Sequence, residues 1–239
     1  MEKFHKDFEY FWGLIDKGEN FAFTRYADGE VLLMLGNAVG SVTQAAMVDK
    51  WTAPLGLTKV GKELIVTLNH TEDNYYYAIS SVTDNIGDYN FLKSNIKQKE
   101  ENITFVNLWI NGNYEKTIEK YKTLNRPVNL VCNYKAKREN FPFKISSIIP
   151  FPNDCINFWD VSGETFIESL LLETKDKQNE LFFISCGPIS EIIIHKLYES
   201  NPNNTYVDVG SSIDEFVHGY KTRPYMNPTS SYSKMISKF

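Results

Sequence analysis

FAFTRYADGEVLLML, Phe21–Leu35, decides how the rest of the chain is read. Phe21, Ala22 and Phe23 form an apolar run with the character of a buried strand, and it breaks off at Arg25-Tyr26-Ala27. Asp28 and Glu30 follow with only Gly29 between them, and Val31 to Leu35 are continuously apolar, as in a buried helix. Strand, short loop and helix in that order is the unit in which ligands sit at the carboxyl end of a parallel strand. Two carboxylates at i and i+2 can converge on one hard divalent cation, Mg2+ or Mn2+, and Arg25 offers a fork of donors suited to phosphate. The same residues also admit a plainer reading, with Asp28 as an N-cap and Glu30 as a first-turn acid complementing the helix dipole.

Outward from this stretch, elements alternate. Phe4, Phe8, Phe11, Trp12 and Ile15 recur at helical spacing and predict a first helix closed by Gly18. Ser41 can cap a segment through Ala46, Met47 and Trp51, interrupted by Pro54 and Gly56. Val60 to Leu68 predicts an amphipathic helix, 75–80 a strand, 89–96 a short helix, 103–110 (ITFVNLWI) a strand and 114–124 a helix. VNLVC (Val128–Cys132) and Ile145–Ile149 read as buried strands, 164–173 as a helix, LFFISC (Leu181–Cys186) as a strand, 190–198 as a helix and TYVDVG (Thr205–Gly210) as the last strand. This pattern predicts an α/β, Rossmann-like, mostly parallel sheet with helices on both faces, in a single domain over 1–221. The segment 222–239, with Pro224, Pro228 and several serines, is expected to be an irregular tail.

Composition sets the outer bounds. The 239 residues are 42% hydrophobic and 23% charged, enough to fill one large core, and the net charge is −5. That charge lacks the basic footprint a phosphate backbone demands, so nucleic acid is excluded as the expected partner. Cys132, Cys155 and Cys186 are odd in number and widely spaced, which is neither a disulfide framework nor a zinc pattern. The amino terminus lacks a signal-peptide h-region, and no run reaches the ~20 apolar residues of a membrane span. A cytoplasmic location without a transmembrane segment is expected, and assembly into an oligomer stays open.

In an open parallel sheet, function gathers beyond the carboxyl ends of the strands, and those ends here carry polar residues and glycines. Gly187-Pro188 could present backbone N–H groups to phosphate at a helix start, or simply make a tight turn. Asp208, flanked by Val207 and Val209, is either buried with a partner or faces the crevice. Gly210, Ser211, Ser212 and Asp214 end the last strand. Lys135, Lys137 and Arg138 could neutralise a diphosphate or lie on a solvated turn. His195 reads as structural, while His70, in a polar loop, could serve as a base.

Together these stretches resemble the GT-D-type glycosyltransferases. TRYADGE is similar to that family's R-(F/Y)-G-D-G-E signature with Ala27 in place of a glycine. CGPISEIIIHKLYES and YVDVGSSIDEF are similar to its late G-P and D-(I/V)-G-x-x-D blocks, and IIPFPNDCINFWD to a segment with proline and asparagine, here Pro150 and Asn153. The resemblance implies transfer of a hexosyl-type sugar from a nucleotide-diphosphate donor, UDP-linked for preference, to a saccharide or glycan acceptor. It implies Mn2+ (or Mg2+) held by Asp28 and Glu30, phosphate contact from Arg25, and a donor cleft of Asn153, Gly187, Pro188, Asp208, Gly210 and Ser211, with Lys135 beside it. Asp214 and Asp208 are the candidate bases, with His70 and Glu72 behind them. Ala27 raises a question if the family glycine needs positive φ, which alanine resists. Two other classes stay open: a methyltransferase, since VDVGS resembles a strand end that cradles S-adenosylmethionine, and a non-catalytic nucleotide- or glycan-binding module.

Overall fold

The computed structural model describes residues 2–40 and 51–239. The Ser41–Met47 part of the capped segment lies outside them. Seven strands form one sheet in the order β3-β2-β1-β7-β6-β4-β5: β1 Ala22–Tyr26, β2 Tyr75–Ile79, β3 Ile103–Phe105, β4 Val128–Asn133, β5 Ile145–Phe151, β6 Leu181–Ser185 and β7 Thr205–Asp208. Every pairing is parallel, so all seven carboxyl ends open on one edge. Parallel strands need crossover connections, which helices supply. The helices described are α1 Glu2–Lys17, α2 Asp28–Met34, α3 Lys59–Thr67, α4 Ile86–Asn95, α5 Tyr114–Thr123, α6 Cys155–Thr174, α7 Ile189–Ser200 and α8 Asp214–His218, of which α2 to α7 lie between strands.

Alternation along the central strand divides the core in two. Ala22 and Tyr26 pack with Leu64 of α3, Trp159 of α6 and Ile193 of α7. Phe21 and Phe23 pack on the other face with Phe8, Phe11 and Trp12 of α1 and Tyr121 of α5. Successive side chains of a strand point to opposite faces, so both faces of β1 are covered and the strand is buried on each side. The stripe on α1 is core, with the Phe11 ring edge-on to Phe23 at 4.7 Å. Gly18 ends that helix at φ +76°, with its N–H bonded to the Ile15 carbonyl.

Three elements differ from expectation. The strand foreseen over 103–110 stops at Phe105. The Val106 N–H still reaches the Ile79 carbonyl, but the Val106 carbonyl accepts from Arg25 Nε instead of from a strand, and the chain turns away. The helix foreseen from 164 begins at Cys155, because Cys155, Trp159, Gly163, Ile167, Leu170 and Thr174 line one buried face at helical spacing. The helix foreseen from 89 begins at Ile86, where the Asn85 side chain accepts from the Gly87 and Asp88 N–H groups. The segment 222–239 holds only short 3-10 turns. It lies against the sheet edge, with the Phe239 ring stacked on Phe105 at 4.2 Å and Gly112 N–H bonded to the Met235 carbonyl. Among the described residues no helix is long and apolar enough to cross a membrane.

Candidate functional site

Beyond the carboxyl ends of the strands lies a cavity of about 570 Å3. The β1–α2 turn contributes Asp28 and Gly29, and the ends of β4 and β5 contribute Asn133, Phe151 and Asn153. The β6–α7 turn adds Ser185, Cys186 and Gly187, the end of β7 adds Gly210 and Ser211, and Asp214, His218 and Arg223 close the far side. Of the residues singled out in the sequence, Asp28, Asn153, Gly187, Gly210, Ser211 and Asp214 thus face one space. Arg25, Glu30, Pro188 and Asp208 lie behind that lining, and Lys135 stands outside it on an exposed turn.

The β1–α2 junction combines both readings of its acids. Asp28 is exposed to the cavity. Glu30 turns back to accept from the Ala27 N–H at 2.8 Å, the reciprocal half of a capping box. Ala27 has φ −112°, an extended conformation open to any residue, so alanine costs nothing where the resembled signature has glycine. Burial pushes the Glu30 carboxyl up to about 7, against the backbone N–H bonds, and the negative charges of Asp208 and Asp28 add to the rise.

Behind Gly210 lies a buried charged layer. Arg25 Nε donates to the Val106 carbonyl at 2.8 Å, and Nη1 stands 3.7 Å from Asp208 Oδ2. The guanidinium is spent on these partners rather than offered to the cavity. Asp208 Oδ1 accepts from the Gly210 N–H at 2.7 Å. Burial raises the Asp208 carboxyl above its usual range, opposed by Arg25. Glu191, fully buried on α7, accepts weakly from the Arg25 N–H at 3.4 Å. Its Oε2 has no donor among the described residues, and the Glu191 carboxyl lies against that of Asp208. Two carboxyl oxygens can bond only if one carries a proton, and burial holds that proton on Glu191 by raising its affinity.

On the far wall, Asp214 Oδ2 accepts from Thr222 Oγ1 at 2.7 Å and lies 3.5 Å from Arg223 Nη2. Ser211 Oγ shares a 2.7 Å hydrogen bond with the Tyr225 hydroxyl. The Asn133 amide donates to Asn153 Oδ1, tying the ends of β4 and β5 together. Trp51 stands over the two glycine turns: a Cβ on Gly29 would meet its ring at 2.9 Å, and one on Gly187 would meet Nε1 at 2.9 Å. Cys155 and Cys186 reach the cavity, but burial drives both thiols far up. Neither is a thiolate nucleophile at neutral pH.

Glu191, Trp51, His218 and Arg223 were not foreseen as site residues. Glu191 alone left a signal: an acid inside the apolar run ISEIIIHKL, subject to the same demand for a partner as Asp208.

No family model matches the sequence, and no curated protein does. Solved structures do match. One, described as "The highly conserved domain of unknown function 1792 has a distinct glycosyltransferase fold", superposes with a TM-score of 0.54 at 17% identity, covering 89% of this chain and 77% of its own. A selenomethionine-substituted structure of domain of unknown function 1792 gives 0.53 at the same identity and coverage. The chain shares with that domain a distinct glycosyltransferase fold.

Proposed function

We propose that this protein is a metal-dependent glycosyltransferase of the GT-D type, moving a sugar from a nucleoside-diphosphate donor, UDP-linked for preference, to a saccharide hydroxyl. The observation that carries the reading is the one cavity onto which Asp28, Asn153, Gly187, Gly210, Ser211 and Asp214 open from four different strand ends. Gly187 (φ +59°) and Gly210 (φ +48°) bring bare backbone to the space, as close approach to a pyrophosphate requires.

A divalent cation fits the acids at its edge. Burial raises the proton affinity of Glu30, and the negative charges of Asp208 and Asp28 add to that rise; a cation relieves such a negative potential as a proton does. Mg2+ and Mn2+ need only one or two carboxylates when substrate phosphates complete the shell. Asp28 and Glu30 would hold it, and bound there it would neutralise charge on a departing diphosphate. Glu30 must first exchange its capping bond for that duty. Arg223 and the Asn153 amide would orient donor oxygens. Asp214, aimed by Thr222 and Arg223, is the group to accept the acceptor hydroxyl proton. Arg25 acts from behind, holding the Gly210 turn through Asp208.

Thermal unfolding tests the proposal. UDP with Mn2+ at about 100 Kd should add ~2.7 kcal/mol, or roughly 5–10 °C for a domain of this size, while either alone should add far less. Asp28→Asn should unfold near the wild-type temperature without ligand and lose the joint shift. Absence of any shift across a panel of nucleoside diphosphates and metals defeats the reading.

A further inference from the structure

At the opposite edge of the sheet a second polar cluster is built from residues that the cavity does not use. His70 lies in the loop between α3 and β2, and His195 and Glu199 are one helical turn apart on α7. The loop leads into the amino end of β2, and α7 starts from the carboxyl end of β6, so its last turns reach the same remote edge. One ligating atom from each of His70, His195 and Glu199 lies within 4.8 Å of the other two. Among the described residues these are the only side chains so grouped.

Two imidazole nitrogens there are unsatisfied. His70 and His195 are 7% and 9% exposed, and His70 Nε2 and His195 Nδ1 are buried without a hydrogen-bond partner among the described residues. The His70 tautomer follows from its neighbour. His70 Nδ1 is 2.8 Å from Glu72 Oε2. A carboxylate only accepts, so Nδ1 carries the hydrogen, and in the neutral imidazole Nε2 keeps a bare lone pair. Tyr75, stacked on His70 at 4.1 Å, fixes the plane of the ring. A buried lone pair with no donor is costly, and a cation satisfies it. A carboxylate that orients a histidine from its far nitrogen is the usual support of a metal-bound imidazole. The cluster opens on a hollow of about 590 Å3 lined by His70, Glu72, His195, Tyr198 and Glu199, which gives an ion a way in.

We propose that His70, His195 and Glu199 bind one Zn2+ ion, with Glu72 orienting His70 and water in the fourth position. Two imidazoles and one carboxylate form a set that suits Zn2+ and ranks Mn2+ far below it. The ion cross-links the α3–β2 loop to α7 and stabilises the native state through its binding. The site is independent of the glycosyltransferase reading.

The test uses the untagged full-length chain, stripped with a chelator and titrated with Zn2+. One equivalent should bind, the unfolding temperature should rise, and X-ray absorption should show imidazole and carboxylate ligands near 2.0 Å. Glu199 is mostly exposed, its side chain at 57%, so Glu199→Gln folds normally, and it should weaken Zn2+ binding tenfold or more, as should His195→Asn. Mn2+ at the same concentration should neither bind there nor displace Zn2+. Asp28→Asn should bind Zn2+ like the wild type, whatever becomes of its nucleotide binding. No stoichiometric uptake by the wild-type chain, or undiminished affinity in either ligand variant, overturns the proposal.

Discussion

Gly210 leaves no room for a side chain. Its φ is +48°, and a Cβ built there would fall 1.7 Å from Arg25 Nη1. The guanidinium is anchored at Nε by the Val106 carbonyl and lies beside Asp208, so it cannot yield cheaply. Gly210→Ala should therefore cost more than the left-handed backbone alone, roughly 2–4 kcal/mol in urea unfolding. Adding Arg25→Ala removes the clash, so the double variant should lose less than the sum of the two singles. Strict additivity would show that the steric account is wrong. At this scale the sequence was informative wherever a residue closes a strand, since the strand-end rule needs no tertiary knowledge. It picked out Asp28, Asn153, Gly187, Gly210, Ser211 and Asp214 as facing the crevice. It was silent on Arg223 and His218, whose places depend on how the chain folds back after α8. It was silent too on the partner of Arg25 Nε, because the Val106 carbonyl that accepts from it is 81 residues distant.

Among the elements, α7 links the two sites. Glu191, His195 and Glu199 repeat at intervals of four along one face of its twelve residues, with the first beside Asp208 and the last at the remote edge. Its entry turn is defined by Gly187, where φ is +59° and a Cβ would meet Trp51 Nε1 at 2.9 Å. Gly187→Ala should cost on the order of 1–2 kcal/mol for the left-handed backbone and push the indole outward. The change is readable because Trp12, Trp109 and Trp159 are fully buried and Trp51 is only partly so. Acrylamide quenching of tryptophan emission should rise in the variant, and equal quenching would mean that Trp51 does not rest on this turn. The alternation of elements was legible from periodicity alone, and with it the parallel sheet and two helical layers. Strand order was not, since β7 inserts between β1 and β6 through pairings 184 residues apart, Ala22 with Tyr206. The early start of α6 was missed because prolines at 150 and 152 and the asparagine at 153 draw the eye to a loop, while the buried face that follows has a helical period.

For the molecule as a whole, the acids gathered where β1, β7 and α7 meet make stability depend on pH in an uncommon direction. Glu30, Glu191 and Asp208 all hold their protons more tightly folded than unfolded. Below the ordinary carboxyl range they are protonated in both states and contribute no slope. As pH rises through that range the unfolded chain releases protons that the folded chain keeps, so stability falls with pH. For Glu30 the fall runs from 4.5 to about 7. Glu72, which His70 helps to hold below its usual range, works in the opposite sense, so the wild-type curve alone is ambiguous. The difference from Glu191→Gln is not. A glutamine amide can donate to Asp208 as the protonated Glu191 does, without taking up a proton on folding. The variant should match the wild type near pH 4 and exceed it at pH 8, with the gap opening as pH rises, as read from denaturant midpoints across that range. A variant that is destabilised equally at every pH would mean that Glu191 is ionised in the folded protein and that the shared proton beneath the cavity does not exist.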